Sequence, residues 1–143
     1  MDYKTYLDEF HTIMATLSKR RIHQATTEST KGEMGTLMCL TFEKDGVTSG
    51  ELKEKLHVAS GRISDILRAL ESKGLITRVQ NQEDNRKVMV YITEEGREIA
   101  IKHQELVHRK LMELMDFLGE EDTKELIRLM KRVEEYRGKN ENE

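Results

Sequence analysis

The apolar positions of residues 48–92 follow a helical spacing first and an alternating one afterwards. Thr48 and Glu51 have the S/T-x-x-E spacing of a capping box, which predicts that a short helix begins there. Ser60 is a favourable N-cap and predicts the start of a second helix. Within that helix, apolar side chains recur every three or four residues and form one stripe, made of Ile63, Ile66, Leu67 and Leu70.

Beyond Gly74 the period changes to two, which indicates two short strands. The glycine itself suits the position just after the end of a helix. Alternate side chains of residues 75–80 and 88–92 point to opposite faces of a predicted hairpin, and the polar residues 81–86 form its turn. Two short helices joined by a tight turn and followed by a hairpin predict a winged helix-turn-helix over residues 46–92.

The flanking segments complete a mainly α fold with a small β wing. Residues 3–25 carry an apolar helical stripe. Thr30 and Glu33 repeat the capping-box spacing and predict that another helix begins at Thr30. Thr93 is predicted to cap a long helix after the hairpin, and Gly119 to interrupt it.

The 143 residues are expected to form a single domain, in which residues 3–45 and 93–137 supply dimerisation and support helices around the 46–92 module. A chain this small cannot easily cover the apolar stripes of its terminal helices alone. Pairing of these helices across a two-fold axis would cover them in a homodimer. The side chains predicted to lie in that interface are Leu7, Phe10, Met14, Leu118, Leu129 and Val133.

The outer face of the second helix is the candidate DNA-binding surface. With the apolar stripe inside, Gly61, Asp65 and Arg68 project outward. An ordinary solvated face is the alternative interpretation, but the basic hairpin tip directly after the helix favours contact with a duplex. The residues predicted to contact DNA are Thr48, Ser60, Gly61, Arg62, Ser64, Asp65, Arg68, Arg78, Arg86 and Lys87.

The local charge supports a DNA-binding surface only modestly, and the composition indicates a cytoplasmic protein. The net charge of the chain is −3, but residues 46–92 hold eight Lys or Arg and six Asp or Glu, a local balance of +2. No apolar run approaches the ~20 residues of a membrane span, and the N-terminus lacks the pattern of a signal peptide. A single cysteine leaves no internal disulfide, so a cytoplasmic protein without a membrane partner is expected.

Four segments of the chain resemble the MarR family of bacterial transcriptional regulators. They are Val58-Ala59-Ser60-Gly61-Arg62-Ile63-Ser64, Leu70-Glu71-Ser72-Lys73-Gly74-Leu75-Ile76-Thr77-Arg78, Glu83-Asp84-Asn85-Arg86-Lys87 and Ile92-Thr93-Glu94-Glu95-Gly96-Arg97. Asp65 departs from the family, because many members carry a basic residue there. The resemblance implies a homodimer on a pseudopalindromic operator, with two recognition helices about 34–36 Å apart.

The same resemblance implies a mechanism of release. The protein would be a repressor whose operator affinity falls when a small organic effector shifts the dimer to a DNA-incompetent population. Met side chains adapt to varied ligand shapes, although a plain core role is the alternative. The candidate lining residues of an effector pocket are Phe10, Met14, Met34 and Met38.

Other functional classes have weaker support. The sequence contains no catalytic or phosphate-loop motif, so neither an enzyme nor a bound cofactor is expected. Some MarR relatives sense zinc, but His103 and His108 are five residues apart, a poor spacing for a shared ion, and no metal site is predicted. Cys39 lies among apolar residues and is expected to be inert rather than a redox sensor. A winged helix that binds protein instead of DNA stays open as an alternative.

Overall fold

The computed structural model describes the backbone of residues 3–24, 28–84 and 86–140, and the side chains of residues 3–18, 32–84 and 86–138. The elements in chain order are α1 (Tyr3–Gln24), α2 (Glu28–Phe42), β1 (Val47–Thr48), α3 (Ser49–Leu56), α4 (Ser60–Ser72), β2 (Ile76–Gln80), β3 (Val88–Ile92) and α5 (Glu94–Asn140). This confirms a mainly α fold with a small β wing. The chain forms two compact units, Met1–Ala100 and Ile101–Glu143. The single-domain organisation stays a prediction.

The hydrophobic core of the first unit is built around the apolar stripe of α4. All four predicted stripe residues are buried, and they pack with side chains from α2, α3 and the sheet. Each is no more than 3 % exposed, so this face of α4 is closed to solvent. The core comprises Leu37, Leu40, Val47, Leu52, Ile63, Ile66, Leu67, Leu70, Ile76, Val90, Ile92 and Ala100.

The capping box predicted at the start of α3 is present. The Glu51 N–H donates to the Thr48 hydroxyl oxygen over 3.2 Å, and the Thr48 N–H donates to the Glu51 carboxylate over 3.1 Å. The helix ends at His57, whose φ of 51° lies in the left-handed region. That turn leads directly into α4, so the angle between the two helices is set within three residues, 57–59.

The predicted C-terminal end of α4 is confirmed, whereas its predicted N-cap is not. Ser60 is not the N-cap: it is the first helical residue, and the extended Ala59 caps the helix without a side-chain hydrogen bond. Because Ser60 is already helical, its hydroxyl does not cap the helix by accepting from an N–H two or three residues later, and Ala59 holds the extended N-cap position. The C-terminal prediction is confirmed, because Gly74 has φ +73° and its N–H donates to the Glu71 carbonyl over 3.0 Å. The Leu75 N–H reaches back to the helix over 3.0 Å and completes a Schellman motif.

The three strands form an antiparallel sheet in the order β1-β3-β2. The register pairs Ile76 with Ile92 and Arg78 with Val90, which puts these four side chains on the face toward α4. At the tip of the β2–β3 hairpin the Asp84 side chain accepts a hydrogen bond from the Arg86 N–H over 3.0 Å, as expected for a turn-holding residue. Asn85, within the predicted turn, lies outside the described residues.

Two helices, α1 and α2, precede this module. α2 begins at Glu28, so the predicted start at Thr30 is wrong; the Thr30 side chain lies outside the described residues. Because the backbone is already helical at Glu28, two residues before Thr30, Thr30 cannot be the N-cap of α2. Every described side chain of α1, residues 3–18, is exposed.

The long C-terminal helix begins as predicted. The Gly96 N–H donates to the Thr93 hydroxyl oxygen over 3.2 Å, which is the expected cap of α5. A side chain at Gly96 would collide with the Leu75 carbonyl oxygen, so glycine permits this close approach. The predicted interruption is also confirmed, because Gly119 has non-helical angles of φ 79° and ψ 171° inside α5.

Candidate nucleic-acid interface

The exposed face of α4 lies opposite its buried stripe. At about 100° per residue, Gly61, Asp65, Arg68 and Ser72 stand directly opposite the stripe. All four are exposed. A helix with one closed apolar face and one open polar face can enter the major groove of a duplex, where side chains meet base edges.

An ion pair occupies the centre of this face. Nη1 of Arg68 donates to Oδ1 of Asp65 over 3.2 Å, and each side chain is 72 % exposed. The two residues are three positions apart, so both stand on the same side of the helix. The surface therefore presents a guanidinium and a carboxylate together.

The other polar residues of α4 are partly committed within the protein. Nη2 of Arg62 lies 4.0 Å from where a Cβ at Gly32 of α2 would stand, so this guanidinium reaches toward α2. The Ser64 hydroxyl donates to the Ser60 carbonyl over 3.1 Å, which leaves its oxygen able to accept a further hydrogen bond. Ser60 itself is exposed at the first turn.

Arg78 and Thr48 also have internal partners. Nε and Nη2 of Arg78 donate to the two carboxylate oxygens of Glu71, each over 3.1 Å. The hydrogen bond from Arg78 lowers the pKa of Glu71, and the same bond raises the pKa of Arg78. This bidentate pair joins the end of α4 to β2. The Thr48 hydroxyl accepts a hydrogen bond within its capping box.

The tip of the wing presents two cations. Arg86 and Lys87 are exposed, and within the described part of the chain neither side chain has an ion pair. Two lysines of the same module, by contrast, bind glutamates outside it: Lys73 binds Glu33 of α2, and Lys55 binds Glu43 just after α2, each over 2.8 Å. Arg86 and Lys87 are therefore cations of the module that stay open to a ligand, although Glu83 and Asp84 lie beside them in the turn.

Sequence reasoning missed most of these pairings. Lys73 and Glu33 are 40 positions apart, and no local pattern joins them. Only the pair of Asp65 with Arg68 carries a sequence signal, the spacing of three on one helix.

The predicted dimer residues are open to solvent with one exception. Leu118 is half-buried, and the other five are exposed, including Leu7 at 51 % and Val133 at 59 %. Among the candidate pocket residues, Phe10 and Met14 are exposed, Met34 is half-buried and Met38 packs against the core. The interface and the pocket both stay predictions.

A redox sensor would use Cys39, and a metal sensor would use a cluster of histidines, cysteine or carboxylates. Burial raises the pKa of the Cys39 thiol, and the neighbouring Glu43 raises it further against the effect of Lys55. A raised pKa disfavours the reactive thiolate, which agrees with an inert cysteine. Among the residues with described side chains, no three His, Cys, Asp or Glu residues cluster as metal ligands; His23 lies outside them. The described helices include none with the length and apolar character of a membrane span.

Comparison with known proteins places the chain in a family. The family model described as transcriptional regulator SarA/Rot matches residues 26–103. The uncharacterized HTH-type transcriptional regulator YdgJ of Bacillus subtilis is 29% identical over 97 residues, which cover 68% of this chain and 59% of that protein. The match thus spans less than two thirds of that relative's length.

Solved structures share the fold over nearly the whole chain. FabT of Streptococcus pneumoniae, crystallised in complex with DNA, has a TM-score of 0.73 and 21% identity, covering 96% of this chain and 99% of that one. A MarR family protein from Bacillus stearothermophilus has a TM-score of 0.72 and 21% identity at the same coverage. At this identity the likeness shows the fold, that of the MarR-type winged helix. The chain belongs to the SarA/Rot family of transcriptional regulators.

Proposed function

We propose that this protein is a cytoplasmic, homodimeric repressor that binds a pseudopalindromic operator and is not an enzyme. The observation that carries the proposal is the outer face of α4, which is open and polar opposite a closed apolar stripe, next to a wing whose tip exposes Arg86 and Lys87. The α4 face suits the major groove, and Arg86 suits the adjacent minor groove, where narrow A·T-rich stretches attract a guanidinium most strongly.

The terminal helices support a dimer. Over residues 3–18, α1 exposes large apolar side chains, and a monomer would leave them in water. Pairing across a two-fold axis would bury them and present two α4 helices to successive major grooves, about 34–36 Å apart. The exposed apolar side chains of α1 are Tyr3, Tyr6, Leu7, Phe10, Ile13, Met14 and Leu17.

Release by a small organic effector completes the proposal. A ligand that binds the DNA-incompetent dimer more tightly would lower operator affinity by shifting the population toward that dimer. The candidate lining is Phe10 and Met14 of α1 with Met34 and Met38 of α2, which combine exposed and half-buried apolar side chains.

Selection from a random-sequence duplex library, followed by binding titrations across a salt series, tests this function. We expect an enriched inverted repeat, and an affinity that falls steeply between about 50 and 200 mM salt because phosphate contacts release counterions. Enrichment of no sequence, together with weak binding that salt hardly changes, would contradict DNA recognition and favour a winged helix that binds protein.

A further inference from the structure

We propose that Asp65 is a positioning residue that holds Arg68 ready to bind a guanine, so that Arg68 is the base-reading arginine of α4. This inference rests on the proposed DNA-binding function and deepens it. It assigns specificity to a pair of residues, and it gives a role to a carboxylate that would otherwise repel the phosphates of a duplex.

The geometry of the pair leaves Arg68 able to bind a base. Asp65 accepts from Nη1 of Arg68, and the structure gives the Nε and Nη2 groups no acceptor among the described residues. A guanidinium carries five N–H donors, and bidentate binding to O6 and N7 of guanine needs two of them. Arg68 can therefore bind Asp65 and a guanine together.

Arg68 is also the arginine best placed for this contact. It stands opposite the buried stripe at 72 % side-chain exposure, at the centre of the open face. The guanidinium of Arg62 reaches toward Gly32 of α2, and that of Arg78 is held by both carboxylate oxygens of Glu71. Both of these lie to the side of the face that would enter the groove.

The carboxylate has two physical effects on Arg68. It restricts a long, flexible side chain to fewer conformations, so less entropy is lost when a base is bound. It also offsets the positive charge, which weakens attraction to phosphates of any sequence. Both effects raise the preference for the correct base over unrelated DNA.

The experiment measures base preference at every operator position, on duplexes selected by the wild-type protein, for Asp65→Ala, Asp65→Asn, Arg68→Ala and the Asp65→Ala/Arg68→Ala double variant. We expect Arg68→Ala to reduce the preference for guanine at one symmetric pair of positions by about tenfold or more. Asp65→Ala should reduce it at the same positions by about three- to tenfold, while affinity for unrelated duplexes rises. The double variant should match Arg68→Ala, because Asp65 acts through Arg68.

Asp65→Asn separates the effect of the hydrogen bond from that of the charge, and Glu120→Ala is the control for an ion pair outside the α4 face. Asp65→Asn should retain much of the preference, since its amide oxygen still accepts from Arg68, yet bind unrelated DNA more tightly because the negative charge is gone. Glu120→Ala removes an ion pair of similar exposure, Lys124 with Glu120 at 2.7 Å on α5, and should change neither quantity. Melting temperature and sedimentation of each variant check that the fold and assembly are intact.

The outcomes that overturn the proposal are distinct. Loss of preference after Asp65→Ala at a base pair that Arg68→Ala leaves unchanged would show direct contact of Asp65 with a cytosine amino group. Unchanged preference after Asp65→Ala would leave Asp65 without a positioning role, while the proposed function stands. Failure of the wild-type protein to select any sequence would overturn the proposed function and this inference with it.

Discussion

At the scale of single residues, the surface of the module separates cations that have a partner within the protein from cations open to a ligand. Lys55, Lys73 and Arg78 each bind a glutamate of the same chain. Arg86 and Lys87 at the wing tip have no such ion pair among the described residues. Exposed pairs contribute little to stability, so their main effect is to fix where positive charge is available.

Arg86→Ala tests the wing tip. We expect weaker binding to the selected operator, by about three- to tenfold, and a smaller salt dependence, because one cation has left the minor groove. Titrations at two salt concentrations measure both quantities. The melting temperature and the sedimentation coefficient should not change; unchanged affinity at moderate salt would show that the wing does not touch DNA.

Gly61 offers a second test at this scale. It is the second residue of α4, and a Cβ there would meet no atom within 4 Å, so packing inside the chain does not require glycine. Gly61→Ala should stabilise the fold by up to about 1 kcal/mol through helix propensity, yet weaken operator binding if a phosphate approaches the helix closely. Thermal melting and duplex titration separate the two effects.

Gly50 supplies the matched comparison for stability. It is the second residue of α3, and a Cβ there meets only the Thr48 hydroxyl, at 3.8 Å. Gly50→Ala should raise the melting temperature to a similar degree. An operator affinity that Gly61→Ala leaves unaltered would mean that no backbone phosphate comes close to the start of α4.

At the scale of elements, a helix-ending turn and an ion pair join the wing to α4. The Schellman motif at Gly74 sets the direction in which the chain leaves α4, and Arg78 then binds the carboxylate of Glu71, a residue whose carbonyl belongs to that motif. Arg78 meets α4 because the strand register puts it on the same face as the buried Ile76. The base of the wing is thus joined to the C-terminal end of α4 at two points.

This link predicts a dependence of stability on pH. The folded-state pKa of Glu71 lies below its ordinary value of 4.5, so its contribution is present above pH 4.5 and is lost as pH falls through the lowered pKa. Glu71→Gln should therefore lose less stability than the wild type between about pH 7 and about pH 3. Denaturant unfolding at both pH values measures the difference. In an Arg78→Gln background Glu71→Gln should have no further effect; a persisting difference would assign the pH dependence to other groups.

At the scale of the whole molecule, the exposed stripe of α1 predicts obligatory association. Leu7→Glu should raise the dissociation constant of the dimer at least about tenfold, because it places a charge where the proposed interface would bury a leucine. Sedimentation velocity across a concentration series measures it. Thr16→Glu, about 180° away around α1, should leave the dimer intact. A wild-type protein that sediments as a well-folded monomer at micromolar concentration would contradict the dimer.

What the sequence determined by itself is local. The capping box at Thr48, the stripe of α4, the turn at Gly74 and the interruption at Gly119 each depend on residues a few positions apart, so a periodic pattern or a backbone requirement reveals them. The wing was predictable for the same reason. The predicted start of α2 and the predicted cap of α4 were wrong because the backbone angles, and not the nearest favourable capping side chain, set where a helix begins; α4 is capped by Ala59.

Only the tertiary structure decided which charges are available to a ligand. Glu33 lies 40 positions before Lys73, and Glu43 lies 12 before Lys55, so their pairing depends on how α2 packs against the module. Arg78 is a predicted DNA contact, and the strand register places it where it binds Glu71, a partner that the sequence did not indicate. Apolar burial, encoded by nearest neighbours on a helix, can be read from one sequence. The partner of a long, flexible cation cannot, because it depends on which distant carboxylate the fold brings within reach.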